Sequence, residues 1–217
     1  MTDKTASNKM TRLPSPSIGQ QRYWGGRTVG ILGGSFNPVH EGHLHISQQA
    51  LNTLPIDCLW WMFTPGNPFK KQIEIAPMQR RIEKAQSLIA NPRIILSDFE
   101  KQIGINRTYE LCLALRKHFP DTRFIWVGGV DIAEEFHKWE HPEIILDSMP
   151  LAFFRRPPFK GAIKRIPLCN MAQITHHYDL PKSPQSYKTR SVYWCLKSPG
   201  IVRSSTQIRE ILAGAQI

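Results

Sequence analysis

The chain has 217 residues, and 28 lysine and arginine residues against 17 aspartate and glutamate residues give it a formal net charge of +11. A hydrophobic fraction of 41% with ten phenylalanines and six tryptophans predicts a folded domain with a sizeable core and excludes a disordered chain. No apolar run approaches the roughly 18 residues that a membrane-spanning helix needs. We therefore expect no membrane partner.

The positive charge is concentrated in residues 1–27 and 155–203. Such an excess fits nucleic acid, an anionic ligand or plain solubility. Because no nucleic-acid-binding motif accompanies it, we expect an anionic small substrate and no nucleic acid.

The cysteines are widely spaced and form no Cys-x-x-Cys pair; they are Cys58, Cys112, Cys169 and Cys195. This spacing predicts reduced thiols rather than a disulfide framework or a zinc site. The first residues lack the apolar core of a signal peptide. Both features predict a cytoplasmic protein.

Residues 1–26 are polar and predict a flexible extension, which leaves residues 27–217 as a single domain. From there, apolar runs alternate with amphipathic stretches. Strands are predicted at 28–32, 59–63, 94–97, 124–127, 151–154 and 193–196. Helices are predicted at 44–54, 77–90, 108–118 and 132–146, the last broken at His141-Pro142. The alternation predicts an α/β fold with a doubly wound parallel sheet, whose ligands bind at the carboxyl ends of the strands.

The turn after the first strand carries most of the candidate site, and it reads Gly33-Gly34-Ser35-Phe36-Asn37-Pro38-Val39-His40-Glu41-Gly42-His43. Glycines let the backbone approach a ligand closely. Asn37 before Pro38 predicts a helix start, whose N–H groups attract phosphate. His40 and His43, three residues apart, then share one face and bring two imidazoles to that phosphate. Each feature alone is common in ordinary packing; their combination favours a phosphate site.

Polar residues also follow the second and third strands. Lys70 and Lys71 come after a turn rich in proline and glycine, within reach of an anion at the first turn, although exposed lysines are commonly only solvated. Thr108 and Tyr109 open the next helix, either as a cap and a core residue or as ligand contacts.

The fourth strand ends at Gly129 and Asp131, followed by Phe136-His137-Lys138-Trp139. A carboxylate at a strand end accepts two hydrogen bonds from ribose hydroxyls, and an ordinary helix cap is the alternative. Trp139 fits either a stacking wall for a ligand ring or the core.

Near the end of the chain stands Ser204-Ser205-Thr206-Gln207-Ile208-Arg209. Ser204 and Gln207 form a capping-box pattern, which predicts a last helix beginning here.

The first turn resembles the (His/Thr)-x-Gly-His signature of a nucleotidyltransferase superfamily with a Rossmann-like fold. Its fuller string is most similar to the bacterial nicotinate-nucleotide adenylyltransferase family of NAD synthesis. The C-terminal stretch resembles the superfamily's second signature, Ser-Ser-Thr-x-Ile-Arg. Phe-His-x-Trp and Arg155-Arg156-Pro157 match as well, so that the resemblance spans residues 28–212. The chain departs from the family pattern at Glu110, where threonine is usual, and at Ile132, where asparagine is usual.

The resemblance implies transfer of the adenylyl group of ATP to nicotinate mononucleotide, giving nicotinate adenine dinucleotide and pyrophosphate. It implies that Mg²⁺ arrives with ATP and that the protein has no metal site of its own. The implied catalytic residues are His40, His43, Lys70 and Arg209. The implied ATP contacts are Gly33, Gly34, Ser35, Phe36, His40, Gly42, His43, Gly129, Asp131, Ser204, Ser205, Thr206 and Arg209. The implied mononucleotide contacts are Asn37, Lys70, Thr108, Tyr109 and Trp139.

Two kinds of alternative stay open at this point. Within the superfamily, the acceptor could instead be nicotinamide mononucleotide or phosphopantetheine. From another class, a basic nucleic-acid-binding protein on a degenerate nucleotidyltransferase fold would share the same signatures. The residues also leave the oligomeric state open.

Overall fold

The computed structural model describes residues 13–66, 75–155 and 163–197, and a parallel sheet lies at their centre. The seven strands stand in the order β3-β2-β1-β4-β5-β7-β6, and each neighbouring pair is parallel. They are β1 Thr28–Gly34, β2 Cys58–Phe63, β3 Ile94–Ser97, β4 Arg123–Gly129, β5 Leu151–Phe154, β6 Thr175–His177 and β7 Ser191–Cys195.

Helices connect the strands across both faces of the sheet. In the described part of the chain they are α1 Gln21–Trp24, α2 Glu41–Thr53, α3 Met78–Leu88, α4 Phe99–Gln102, α5 Thr108–His118, α6 Val130–Glu135 and α7 Pro142–Ser148. Short 3₁₀ turns occupy Phe136–Lys138, Ile163–Arg165, Pro167–Asn170 and Pro184–Ser186.

The doubly wound α/β architecture predicted from the sequence is confirmed, and the first five strands lie within two residues of their predicted bounds. The predicted long helix at 132–146 is interrupted, as expected, before Pro142, where His141 adopts a left-handed backbone (φ 48°). Strand β6 was not predicted, because three residues in a polar stretch are too short to show a period.

Both faces of the sheet are buried, which explains why the strands are apolar almost throughout. Strand β2 shows the alternation: Trp60 packs in the core on one face, and its neighbour Trp61 packs in the core on the other. From β1 the chain adds β2 and β3 on one side of the sheet and then returns to add β4 on the other side of β1. Because the strand order reverses direction between β1 and β4, a crevice opens between their carboxyl ends, where such folds bind ligands.

The four cysteines are free thiols, three of them buried and Cys169 half-buried, as the spacing predicted. Burial raises the pKa of the Cys58 and Cys112 thiols to about 12, so that both are inert at neutral pH. No helix among the described residues is long and apolar enough to cross a membrane.

Residues 13–26, just before β1, pack against the domain. The prediction that residues 1–26 form a flexible extension is therefore wrong for residues 13–26. Trp24 is completely buried and meets the Trp60 ring edge-on, with centroids 4.7 Å apart. The Thr122 hydroxyl donates to the Trp24 carbonyl oxygen at 2.9 Å, and the Ser15 hydroxyl donates to that of Leu96 at 2.8 Å. A single tryptophan outside any periodic run gave no sequence signal of this packing.

Replacing Trp24 with alanine should lower the free energy of unfolding by about 3–5 kcal/mol, because it leaves a cavity against Trp60. Tyr23→Ala is the matched control, since that neighbouring ring is 60% exposed. Urea unfolding of the two variants measures the difference. Equal, small losses for both would contradict the packing of this segment.

Candidate active site

Strand β1 ends in Gly33 and Gly34, and the neighbouring strand explains why the first is a glycine. A Cβ on Gly33 would lie 2.6 Å from Cη2 of Trp126, a residue of β4. The Trp126 ring is buried and meets Trp139 edge-on, with centroids 5.7 Å apart. Trp126 therefore joins the glycine turn to Trp139, a connection that the sequence did not reveal.

Two histidines form the start of helix α2. His40 is the N-cap, and its Nδ1 accepts the Gly42 N–H at 3.0 Å. The Nδ1 of His43 accepts the His40 N–H at 3.3 Å, and the two rings stack with centroids 3.8 Å apart. The predicted shared face of the two imidazoles is confirmed. The prediction that Asn37 starts the helix was wrong, because the chain continues for two more residues before His40 takes the cap position.

These hydrogen bonds fix the tautomer of both imidazoles. A ring nitrogen that accepts a backbone N–H carries no proton, so each neutral ring holds its proton on Nε2. The pair thus supplies two N–H donors beside the first turn of a helix of 13 residues. A helix N-terminus attracts anions. The two imidazole N–H groups add hydrogen-bond donors at the same place, so this helix start suits a phosphate group.

Phe36 lies beneath the histidines. Its ring is 1% exposed, stacks on Trp61 (centroids 4.8 Å apart, planes 7° apart) and contacts His43 at 4.8 Å. The Trp61 indole N–H donates to the Ser47 hydroxyl, which donates to the His43 carbonyl oxygen, both at 2.7 Å. The Phe36 ring is therefore a support for His43.

The turn is also tied to helix α3. The Asn37 Oδ1 accepts the Ala76 N–H at 3.4 Å. Arg81, which is 4% exposed, donates to the carbonyl oxygens of Ser35 and Thr64. The sequence held a signal that was missed: Arg81 lies next to the apolar stripe that Ile82 and Ala85 form on α3 and that Ile89 continues at its C-cap.

At the end of β4, Gly129 is the residue that caps α6, and Asp131 lies half-buried in the first turn of that helix. The helix-cap alternative for Asp131 is therefore wrong. Trp139 is half-buried and packs on Phe136 with centroids 5.3 Å apart. Ile132 packs against the core, so the departure from asparagine replaces a polar side chain by an apolar contact.

Helix α5 begins at Thr108, with Arg107 in the cap position. The Glu110 carboxylate accepts the Arg107 N–H at 3.2 Å, so this departure from the family pattern serves the helix start. Tyr109 meets His141 edge-on, with centroids 4.7 Å apart. The structure thus brings Tyr109 to the segment that follows Trp139.

Several predicted site residues lie outside the described residues, namely Lys70, Ser204, Ser205, Thr206 and Arg209, together with Lys71, Arg156 and Pro157. Arg155 directly follows β5, and its N–H donates to the Cys195 carbonyl oxygen at 3.1 Å.

Glu100 of α4 is a buried acid that the sequence did not indicate. It is 5% exposed, and its Oε2 has no hydrogen-bond partner among the described residues. The pKa of this carboxyl is raised to about 7, chiefly by burial. A hydrogen bond with Thr64 acts to lower the pKa, and the nearby Glu110 charge acts to raise it.

An open groove of about 420 Å³ lies at the opposite, amino edge of the sheet, lined among others by Thr28, Arg116 and Phe124. None of the predicted site residues lines it. The candidate site is therefore the crevice at the carboxyl edge.

Comparison with known proteins gives the family and the fold to which the chain is similar. A family model described as cytidylyltransferase-like matches residues 31–211. A "Probable nicotinate-nucleotide adenylyltransferase" of a Ruegeria species is 38% identical over 186 residues, covering 84% of this chain and 96% of that protein. One of Methylorubrum extorquens is 36% identical over 184 residues, covering 83% of this chain and 98% of that protein.

Solved structures show the same fold at lower identity. The nicotinic acid mononucleotide adenylyltransferase of Plasmodium falciparum, complexed with NaAD, superposes with a TM-score of 0.65 at 19% identity, covering 86% of this chain and 84% of that one. The same enzyme complexed with APC gives 0.62.

The match to the cytidylyltransferase-like family model makes the chain a nucleotidyltransferase-type protein. Its histidine-capped helix follows a glycine turn at the switch point of the parallel sheet, where such folds bind ligands. Within that class, the chain belongs to the nicotinate-nucleotide adenylyltransferase family.

Glu100 should make stability fall as pH rises. The folded state binds its proton with a pKa of about 7, above the 4.5 of the unfolded chain, so the stabilisation is complete below pH 4.5 and lost as pH rises through 7. The loss is on the order of 3 kcal/mol. Glu100→Gln should remove this dependence, so that the variant gains stability over the wild type between about pH 5 and about pH 8. Urea unfolding at both pH values measures it, and a constant difference would contradict the buried proton.

Proposed function

We propose that the protein transfers the adenylyl group of ATP to nicotinate mononucleotide, giving nicotinate adenine dinucleotide and pyrophosphate. The observation that carries the proposal is the stacked pair of His40 and His43, held at the start of α2 by backbone hydrogen bonds. Relatives that bear this activity in their name, at 36–38% identity over nearly their whole length, support the choice of substrates.

The reaction needs little acid–base chemistry from the protein. The attacking group is the phosphate of the mononucleotide, which is already an anion at neutral pH. The barrier lies in bringing two anions together and in the charge that builds on the α-phosphate and the leaving pyrophosphate. We assign the Nε2–H groups of His40 and His43 to the α-phosphate, where donors that are already oriented stabilise the growing charge.

The remaining roles follow the position of each residue around the crevice. Ser35 contributes a backbone donor beside the two glycines that end β1, and Gly42, which has no side chain, keeps the path to the site open. Asp131, next to Gly129, accepts hydrogen bonds from the adenosine ribose. Thr108, Tyr109 and Trp139 hold the mononucleotide, with Trp139 stacking on the pyridine ring. The proposed triphosphate contacts outside the described residues are Lys70, Ser204, Ser205, Thr206 and Arg209.

Mg²⁺ enters as part of the ATP substrate in this proposal. Magnesium takes oxygen ligands and keeps several of its waters, so that triphosphate oxygens suit it better than imidazoles. Within the described residues there is no cluster of three or more histidine, cysteine, aspartate or glutamate side chains that could hold a metal ion. We propose the cytoplasm as the setting, where thiols such as the four free cysteines stay reduced.

The test is pyrophosphate release from ATP and Mg²⁺ with nicotinate mononucleotide, run beside nicotinamide mononucleotide and phosphopantetheine. Rapid release with the first acceptor alone supports the proposal. Preference for either of the others would overturn the choice of acceptor. No release with any acceptor, from folded protein, would overturn adenylyl transfer and favour a binding protein.

His43→Ala should lower kcat by about 100- to 1,000-fold with little change in either KM, because it removes one donor that acts on charge developing in the transition state. His118→Ala is the control, since His118 ends α5 at the opposite edge of the sheet. Steady-state kinetics of both variants measures the effect. Near-full turnover by His43→Ala would show that the pair does not act on the reacting phosphate.

Trp139→Ala should raise the KM for the mononucleotide about tenfold and leave the KM for ATP nearly unchanged, because stacking on a base is worth about 1–3 kcal/mol. Tyr178→Ala serves as the control for loss of an exposed ring. Steady-state kinetics with each substrate varied in turn measures both constants. An equal rise for both substrates would place Trp139 in the core alone.

A further inference from the structure

Arg81 is a buried arginine that holds three carbonyl groups at the edge of the candidate site. Its Nε donates to the Ala76 carbonyl oxygen at 2.9 Å. One terminal nitrogen donates to the carbonyl oxygens of Ser35 at 2.6 Å and Thr64 at 3.1 Å. Arg81 therefore joins the turn after β1, the end of β2 and the segment that leads into α3.

Within residues 13–66, 75–155 and 163–197, the charge of Arg81 has no acidic partner. Among the described residues, no carboxylate oxygen lies within 4.0 Å of its guanidinium. Burial lowers the pKa of the group, yet an arginine stays protonated in a protein. A buried cation bound only to carbonyls is costly. Core packing does not require it, since α3 buries Ala85, and its C-cap buries Ile89, on the same side.

The contact with Ser35 sets the direction of one peptide group. In a trans peptide the C=O and the following N–H point in opposite directions. Because Arg81 binds the Ser35 carbonyl oxygen, the Phe36 N–H points away from the guanidinium. Phe36 has a left-handed backbone (φ 46°), which a non-glycine residue rarely adopts, so the turn depends on contacts that hold it. The Thr64 N–H donates to the Gly34 carbonyl oxygen at 3.1 Å and closes the same junction.

We propose that Arg81 is a positioning residue for phosphate binding, whose fork of hydrogen bonds holds the Ser35–Phe36 peptide so that its N–H meets the substrate phosphates. This role rests on the proposed function, because it assumes that the phosphates of ATP occupy the turn. Arg81 itself does not touch substrate. A lysine keeps the charge but cannot bond three carbonyls in a fixed plane.

A second arginine with the same pattern of hydrogen bonds, on a more exposed side chain, serves as the control. Arg93 also donates to three carbonyl oxygens, those of Asp57 at 2.9 Å, Leu51 at 3.2 Å and Ile56. It lies immediately before β3, at the amino edge of the sheet and away from the candidate site. Arg93→Lys therefore removes the same kind of fork without touching the turn.

The experiment measures binding of inorganic pyrophosphate and MgATP by the rise in Tm and by calorimetry, for wild type, Arg81→Lys and Arg93→Lys. We expect both variants to have a lower Tm without ligand. Arg81→Lys alone should bind pyrophosphate about 10- to 100-fold more weakly, the worth of one hydrogen bond to a charged group. Its KM for ATP should rise by a similar factor, with little change in the KM for the mononucleotide.

Equal pyrophosphate binding by Arg81→Lys and Arg93→Lys would overturn the proposal and leave Arg81 a purely structural residue. If Arg81→Lys does not fold, Arg81→Gln, which retains one amide donor, replaces it and is judged by the same comparison. Wild-type protein that binds pyrophosphate but turns over no acceptor would overturn the proposed function, while the Arg81 comparison would still stand on binding alone.

Discussion

The hydrogen bonds that start helix α2 are the constraint on which the rest of the site depends. His40 accepts the Gly42 N–H and His43 accepts the His40 N–H, so the same two bonds satisfy the helix start and set the imidazole tautomers. The rings of Phe36 and Trp61 then pack against the His43 ring and fix its position. A change in this packing would move the proposed donors even though no contact with a ligand is lost.

The fold could be predicted because its signals are local and repeated. Apolar strands buried on both faces read as continuous runs, and α5 was predicted to the residue because Thr108–His118 shows an unbroken helical period. The three-residue strand β6 and the buried Trp24 were missed for the opposite reason. Each depends on distant partners, His176 on Trp194 and Trp24 on Trp60, and a period in the sequence carries no information about such contacts.

The sequence predicted the residues that face the candidate ligand, but not the residues that support them. The histidine pair is visible in the sequence because the two residues lie three apart and follow a glycine turn. The residues that hold it are not: Trp126 makes Gly33 necessary from the neighbouring strand, and Arg81 reaches the turn from 46 positions along the chain. Asn37 was misassigned because a polar residue before proline is a good helix start by local rules, whereas here it binds Ala76.

Two buried ionisable side chains, Arg81 and Glu100, lie on either side of Thr64. Both are exceptions to the rule that charged residues stay at the surface, but one keeps its charge and the other partly loses it. Arg81 donates to the Thr64 carbonyl oxygen and remains charged, while Glu100 faces the Thr64 hydroxyl and is partly neutral near pH 7. The Thr64 hydroxyl donates its single proton to the Gly66 carbonyl oxygen at 2.9 Å. A neutral Glu100 can donate to that hydroxyl oxygen and extend the chain of hydrogen bonds, whereas an ionised one competes for the same proton. Proteins keep such buried polar groups chiefly where a site requires a defined backbone, and Thr64 directly follows β2, the strand beside the turn after β1.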